Sequence, residues 1–265
     1  MKIVSWNVNG IRACWENGLK DFLYRENPEV IAFQEVKSQR ASLPPEIAEP
    51  EGYSTLWHCG GRPGYSGVAA FIREDAEQPL WWVKGLGIPE VDAEGRVLTL
   101  EFSDFFLVTA YFPNSGAGGR RVDFKASFCR QMETFCRHLR DRGKGVILTG
   151  DFNIAPAGID LHSVEENRGH PGTLTAETQW MNGLLERGWV DVFRRDRPEQ
   201  EGHFSWWSFF DDDRAHNRGW RIDHVVASAD FAPRVKAELL PEVMGSDHCP
   251  VVARVEGRDG SGAVG

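Results

Sequence analysis

The stretch Lys144–Gly–Val–Ile–Leu–Thr–Gly–Asp–Phe–Asn153 joins a short apolar run to two polar side chains. Residues 146–148 have the length of a buried strand, and Gly150 breaks it. If the backbone stays extended, Asp151 and Asn153 point to the same side of the chain. Open α/β sheets bind ligands outside their strand ends, so the stretch favours a ligand crevice. A turn capped by Asp151, with Asn153 at a tight φ, explains these residues equally well.

The composition is typical of a globular protein. The 265 residues are 41% hydrophobic and include 10 Trp, enough for one large α/β domain or two small ones. No apolar run approaches the roughly 20 residues of a membrane span, so we expect no membrane partner. The N-terminus enters an apolar strand directly, which predicts no signal peptide. Five Cys without a C-x-x-C pair favour reduced thiols in a cytoplasmic protein.

The formal net charge of −9 argues against nonspecific nucleic-acid binding driven by global charge. It does not exclude a nucleic-acid enzyme. A carboxylate-rich metal site contributes several of the negative charges, and basic residues could still line one face.

Apolar runs and breakers predict alternating strands and helices. Helices are expected over residues 18–26, 123–142 and 175–185, and strands over residues 3–7, 30–35, 68–72, 96–102, 105–112, 146–148, 222–227 and 251–255. Near-continuous apolar strands in strand–helix–strand order are typical of a sheet covered on its faces. Without repeats or an interior linker, we expect a single domain over residues 1–256 and a flexible Gly-rich tail over 257–265.

Polar residues stand at the ends of nearly every predicted core strand. They are Asn7, Glu35, Tyr111, Asn114, Asp151, Asn153, Asp223, Asp247 and His248. Each alone is weak evidence, since Glu35 could pair with Lys37 on the surface and Asp247–His248 could form a turn before Pro250. Together they predict one crevice at one edge of the sheets.

The residue types in this set limit the chemistry. The sequence has no G-x-S-x-G elbow, P-loop or dinucleotide fingerprint. Oxygen ligands without a Cys/His cluster suit Mg²⁺ or Mn²⁺ rather than Zn²⁺. A hard cation with carboxylates, one His and one Tyr suits hydrolysis of a phosphate ester.

Seven short motifs are spread along residues 2–255. They are Ile3–Val–Ser–Trp–Asn–Val–Asn–Gly10, Gln34–Glu35, Gly64–Tyr–Ser–Gly67, Ala110–Tyr–Phe–Pro–Asn114, Gly150–Asp–Phe–Asn153, Gly219–Trp–Arg–Ile–Asp223 and Ser246–Asp–His–Cys–Pro250. In this order they resemble the exonuclease III family of apurinic/apyrimidinic endonucleases. The resemblance implies a four-layer α/β sandwich, with two packed mixed β-sheets flanked by helices. It also implies a monomer that needs Mg²⁺ and cleaves double-stranded DNA 5′ to abasic sites, with activity on 3′ ends or 3′ blocks.

The resemblance also assigns roles to individual residues. It makes Glu35 the principal metal ligand and puts Asp247 near or on the metal, with the wider metal set comprising Asn7, Asn9, Asp151 and Asn153. Asp151 is the general base or the leaving-group proton donor, and Asn7 supports it. His248, oriented by Asp223, contacts the phosphate together with Tyr111, Asn114 and Asn153.

For the substrate, the resemblance makes Trp220 and Trp206 the walls of a pocket for a flipped abasic sugar. We interpret Trp207 as core. The looser matches are Tyr65, Arg73 and Asn167, which the resemblance places in DNA-contacting loops.

Two loops depart from the family pattern. In residues 115–121, Arg120 or Arg121 would have to replace an arginine that relatives insert into the duplex. The acidic run 211–213 would repel phosphate unless Arg214 and Arg218 offset it or it points to solvent. Rival interpretations are a phosphoesterase acting on inositol phosphates or sphingolipids, an inactive DNA-binding module and a nuclease that prefers RNA.

Overall fold

The computed structural model describes residues 1–209 and 212–257. The strands are β1 Lys2–Asn7, β2 Val30–Gln34, β3 Tyr53–His58, β4 Val68–Arg73, β5 Trp81–Lys84, β6 Val97–Glu101, β7 Phe105–Tyr111, β8 Gly145–Asp151, β9 Trp189–Asp191, β10 Trp206–Trp207, β11 Gly219–Trp220, β12 Asp223–Ser228, β13 Val235–Leu239 and β14 Val251–Val255. The α-helices are α1 Ile11–Cys14, α2 Lys20–Glu26, α3 Pro45–Ala48, α4 Pro89–Asp92, α5 Val122–Arg140, α6 Val164–Asn167, α7 Thr175–Glu186 and α8 Val192–Asp196.

Two six-stranded sheets carry the fold. The first has the order β13-β14-β1-β2-β4-β3 and the second β5-β6-β7-β8-β12-β9. Each sheet has one parallel pair, β1 with β2 and β7 with β8, among antiparallel neighbours. Both sheets are therefore mixed.

Three apolar layers separate four layers of backbone. Ile3 and Val30 of the first sheet share one core with Leu107 and Ile147 of the second, so the sheets pack face to face. The outer face of the first sheet packs on α1 and α2, and the outer face of the second packs on α5 and α7. The four-layer α/β sandwich is confirmed.

The face between the sheets changes from apolar to polar along the strands. Because side chains alternate across a strand, Ser5 and Gln34 share the inner face with Ile3 and Val30. Gln34 Nε2 donates to Ser5 Oγ at 3.1 Å and, across to the second sheet, to Thr109 Oγ1 at 2.9 Å. The next inward positions belong to the candidate site.

All eight predicted strands are present, but four longer strands were missed. These are β3, β5, β9 and β13, the outermost strands of the two sheets. Edge strands have one partner and carry partly exposed residues, so they lack the apolar run used to find the others. No helix among the described residues is long and apolar enough to cross a membrane. Most of the expected tail, residues 258–265, lies outside the described part of the chain.

Candidate active site

Both sheets supply residues to one site. The parallel strands β1 and β2 bring Asn7 and Glu35 to the same edge, and β7 and β8 pair Tyr111 with Asp151. The Asn7 amide joins the sheets, because its Nδ2 donates to Glu35 Oε1 at 2.9 Å and to Asp151 Oδ2 at 2.9 Å. The structure thus brings these four predicted site residues together.

Asp151 and Asn153 meet through a turn. The Asn153 backbone N–H donates to Asp151 Oδ1 at 2.7 Å, and Asn153 Nδ2 donates to Asp151 Oδ2 at 3.2 Å. Asn153 has a φ of 51°, so of the two alternatives left open by the sequence the backbone here follows the tight φ and is not extended. Burial raises the pKa of Asp151 to about 7, with the charges of Asp223 and Glu35 acting in the same direction.

His248 is held by a buried carboxylate. Its Nδ1 lies 2.8 Å from Asp223 Oδ2, and its Nε2 faces Asp151 Oδ2 at 4.0 Å. Ser205 Oγ donates to the same Asp223 oxygen at 2.7 Å and fixes that carboxylate. Burial alone would lower the pKa of His248, but Asp223, then Asp247 and Asp151, outweigh it and raise the pKa to about 10. The imidazole is therefore a cation at neutral pH.

Asp247 is oriented by its neighbours on both oxygens. Asn9 Nδ2 donates to Asp247 Oδ1 at 3.0 Å, and Trp206 Nε1 donates to Asp247 Oδ2 at 3.1 Å. Ser246 Oγ bonds the Asn7 carbonyl at 2.7 Å and so ties this loop to the end of β1. Residues from the two ends of the chain thus share one site.

Tyr111 and Asn114 lie on the side of the second sheet. Burial raises the pKa of Tyr111 well above its usual range, and the charges of Glu35 and Asp151 add to this effect, so the phenol stays protonated. Asn114 Nδ2 donates to Asn153 Oδ1 at 3.0 Å. Both residues line the same cavity as Asp151.

A cavity of about 200 Å³ opens over these groups. It is lined by Glu35, Tyr111, Asn114, Asp151, Asn153, Pro171, Trp206, Trp220, Ile222, Asp247 and His248. Trp206 and Trp220, on the paired strands β10 and β11, meet edge-to-face with ring centroids 5.9 Å apart. Trp207 points away into a buried cluster with Phe204 and Cys249, as expected of a core residue. The cavity therefore has a charged end and an aromatic end.

The charged end can hold a metal ion. A carboxylate oxygen of Glu35, one of Asp151 and a ring nitrogen of His248 lie within 4.8 Å of one another. The two carboxylates can bind the ion, whereas the cationic imidazole has no free lone pair for it. Asp247 adds another carboxylate to the cavity lining. A set dominated by carboxylate and amide oxygens fits a hard divalent cation such as Mg²⁺ better than Zn²⁺.

Residues 4–248 match the Endonuclease/Exonuclease/phosphatase family. The chain belongs to this family. An exodeoxyribonuclease from Bacillus subtilis is 40% identical over 95% of this chain and 98% of its own length. The DNA repair nuclease APEX1 of Danio rerio is 38% identical over 95% of this chain and 81% of its own. The crystal structure of the AP endonuclease LMAP from Leishmania major has a TM-score of 0.89 at 28% identity, covering 97% of this chain and 87% of that one. The resemblance to exonuclease III-like nucleases is confirmed.

Three expected substrate contacts lie away from the cavity. Arg73 ends β4, where it pairs with Asp75, and β4 runs antiparallel to β2, so Arg73 stands at the opposite edge of the sheet. Arg73 therefore does not line the cavity. Tyr65 Oη accepts from Arg96 Nη2 at 2.8 Å, and Asn167 Nδ2 donates to the Ser163 carbonyl at 2.6 Å, so both shape neighbouring loops.

The two loops that depart from the family pattern are partly explained. Arg121 is held by Glu94 at 2.6 Å, whereas Arg120 is exposed. In the acidic run, Asp213 pairs with Arg218 at 2.7 Å. Asp211 lies outside the described residues.

Sequence reasoning missed several residues at or beside the candidate site. Lys37 pairs with Glu35 at 2.8 Å, as one interpretation expected, but the pair is partly buried, with the Glu35 side chain only 16% exposed. Pro171 and Ile222 line the cavity, and Ser205 holds Asp223. Ile222 adjoins Asp223, and that adjacency was a usable signal. Nothing in the sequence marks Pro171 or Ser205.

Proposed function

We propose that the protein is a Mg²⁺-dependent DNA repair nuclease that hydrolyses the phosphodiester 5′ to abasic sites, with 3′–5′ exonuclease or 3′-phosphodiesterase activity. The observation that carries this proposal is the cavity in which Glu35, Asp151 and His248 converge beside an aromatic recess. The names of the relatives, an exodeoxyribonuclease, a DNA repair nuclease and an AP endonuclease, support the same substrate.

Glu35 and Asp247 would hold Mg²⁺, with Asp151 next to them. Bound there, the ion would neutralise phosphate charge and polarise the phosphoryl group. Asn9 is better placed to orient Asp247 than to bind the ion, because its Nδ2 donates to that carboxylate and its Oδ1 accepts from Lys37. Asn7 and Asn153 hold Asp151 in place.

The other polar groups would bind the phosphate and move protons. His248, kept cationic by Asp223, would donate from Nε2 to a nonbridging oxygen. Tyr111 and Asn114 would donate beside it. The raised pKa of Asp151 suits a carboxyl group that takes a proton from water or gives one to the leaving oxygen near neutral pH.

The aromatic end would accept the sugar. Trp206 and Trp220 form two walls, and Pro171 and Ile222 extend the apolar lining. A recess of this kind accepts a flipped sugar without a base, while a full nucleotide adds a bulky ring. We further propose a monomer, a single domain over residues 1–256 and a cytoplasmic location, which the five free thiols support.

The test uses a duplex with one abasic site, labelled on either end in separate reactions, with Mg²⁺ or with EDTA. We expect one cut on the 5′ side of the lesion, dependent on Mg²⁺, and slow shortening from 3′ ends. The same duplex without the lesion and an identically purified Asp151→Asn protein are the controls. A cut on the 3′ side, activity in EDTA or no cut at all would overturn the proposal.

A further inference from the structure

A buried ion pair joins two helices behind the site. Lys125 of α5 and Glu177 of α7 lie 2.8 Å apart, with side chains 1% and 3% exposed. Removing two charges from water is expensive, and apolar residues of similar size often give equal stability. Stability of the helix contact is therefore a weak explanation for the pair, and its other contacts are informative.

Both charged groups reach loops that carry site residues. Lys125 Nζ donates to the backbone carbonyl of Asn153 at 2.6 Å. Glu177 Oε1 accepts from Ser115 Oγ at 2.6 Å, and Ser115 directly follows Asn114. The pair therefore holds the backbone beside two side-chain amides, those of Asn114 and Asn153, at the charged end of the cavity.

The second Glu177 oxygen holds the aromatic end. Oε2 accepts from the N–H of Gly172 at 2.7 Å and of Leu174 at 3.0 Å. Gly172 follows the cavity residue Pro171, and a Cβ at position 172 would lie 3.0 Å from Trp220 Cζ3 and 3.1 Å from the Asn153 carbonyl oxygen. The backbone here lies directly against the pocket wall.

We propose that Lys125 and Glu177 are positioning residues. They set the spacing between the side-chain amides of Asn114 and Asn153 and the cavity wall at Trp220, an inference that rests on the proposed nuclease activity. The pair touches three loops at once, after β7, after β8 and before α7. Loss of the pair changes where substrate groups sit relative to Asn153 and Trp220, and this lowers kcat more than it raises KM.

The decisive variant replaces both charges, Lys125→Met with Glu177→Leu, so that no unpaired charge stays buried. The Asn153 carbonyl, the Ser115 hydroxyl and the Gly172 and Leu174 amides lose these partners, so we expect a lower thermal midpoint, and kcat on the abasic duplex about 100-fold lower, as for a displacement of about 1 Å. Hydrogen exchange at the Gly172 and Leu174 amides should be faster. A folded double variant with kcat within about threefold of the wild type would overturn the inference.

A second ion pair between the same helix regions provides a matched control. Arg187 and Glu133 bind through two contacts of 2.6 and 3.0 Å, on the surface and away from the cavity lining. Arg187→Met with Glu133→Leu should leave kcat unchanged, and an equal loss in this control would assign the effect to helix docking and refute positioning.

Ser115→Ala decides the question if the double variant does not fold. It removes one hydrogen bond to Glu177 without burying a charge, and we expect kcat to fall about tenfold with only a small drop in the thermal midpoint. An unchanged kcat would refute the positioning role of Glu177 through Ser115. Because the wild type is assayed alongside, failure of the proposed function would appear separately, as an uncut abasic duplex in the wild-type reaction.

Discussion

Asp151→Asn should remove activity while stabilising the metal-free protein at alkaline pH. Burial and neighbouring carboxylates raise the pKa of Asp151 to about 7, against an ordinary value of about 3.9. At pH 8 the ionised form therefore destabilises the fold by about 4 kcal/mol. The neutral amide side chain of the variant removes this destabilisation. Its NH₂ group, however, faces a group that already donates a hydrogen bond to position 151, which costs about 1–3 kcal/mol.

The sign of the pH dependence makes this prediction sharp. With a raised pKa in the folded state, the wild type is most stable below about pH 4 and loses this contribution as pH rises toward 7. At pH 5 the penalty is only about 1–2 kcal/mol, so the effect of the substitution should be about 2–3 kcal/mol more favourable at pH 8 than at pH 5. Cleavage of the abasic duplex should fall about 100-fold or more.

Urea unfolding in EDTA at both pH values measures this difference. Asp191→Asn is the matched control, since Asp191 is also buried, but Arg221 at 2.8 Å holds its pKa well below the usual range despite burial. That variant should be destabilised by about 3–5 kcal/mol at both pH values, because the pair is lost only below about pH 4. An Asp151→Asn effect that is the same at pH 5 and pH 8 would refute the reasoning.

Further substitutions test the metal, the pocket and the packing. Glu35→Gln should raise the Mg²⁺ concentration for half-maximal activity about tenfold or more, and an unchanged metal titration would remove Glu35 from the ligands. Trp220→Ala should lower abasic cleavage about 10- to 100-fold and 3′-exonuclease activity much less, with the exposed Trp82→Ala as control; equal losses would argue against a sugar pocket. Gly145→Ala would put a Cβ 2.2 Å from an aromatic ring and should lower the free energy of unfolding by about 1–3 kcal/mol. The control Gly61→Ala, whose Cβ would have 3.5 Å of clearance, should change the free energy of unfolding little. Equal unfolding curves for the two variants would contradict this.

The sequence predicts the inner strands and the polar side chains at their ends because both follow from local patterns. Residues 146–148 are apolar since both faces of β8 are covered, and Asp151 follows them at the edge of the sheet. Alternation puts Asn7 on the same face as Ser5. Strand ends thus identify most of the cavity lining without any knowledge of strand order.

Strand direction and the hydrogen-bond partners of side chains cannot be predicted from local sequence patterns. Arg73 also ends a strand, but β4 is antiparallel to β2, and only its beginning lies near the site. Ser205 acts through a bond to Asp223, 18 residues away, and Pro171 reaches the cavity through a loop held by Glu177. These contacts depend on how the sheets and loops pack, which periodicity does not describe.

The place of β14 in the first sheet has a consequence for biosynthesis. This strand inserts between β13 and β1, and Trp6 Nε1 bonds the His248 carbonyl at 3.0 Å. A ribosome-bound chain that has not yet released residues 246–255 lacks both the middle of a sheet and the imidazole of the site. A nascent polypeptide therefore has no complete candidate site until residues 246–255 have left the ribosome.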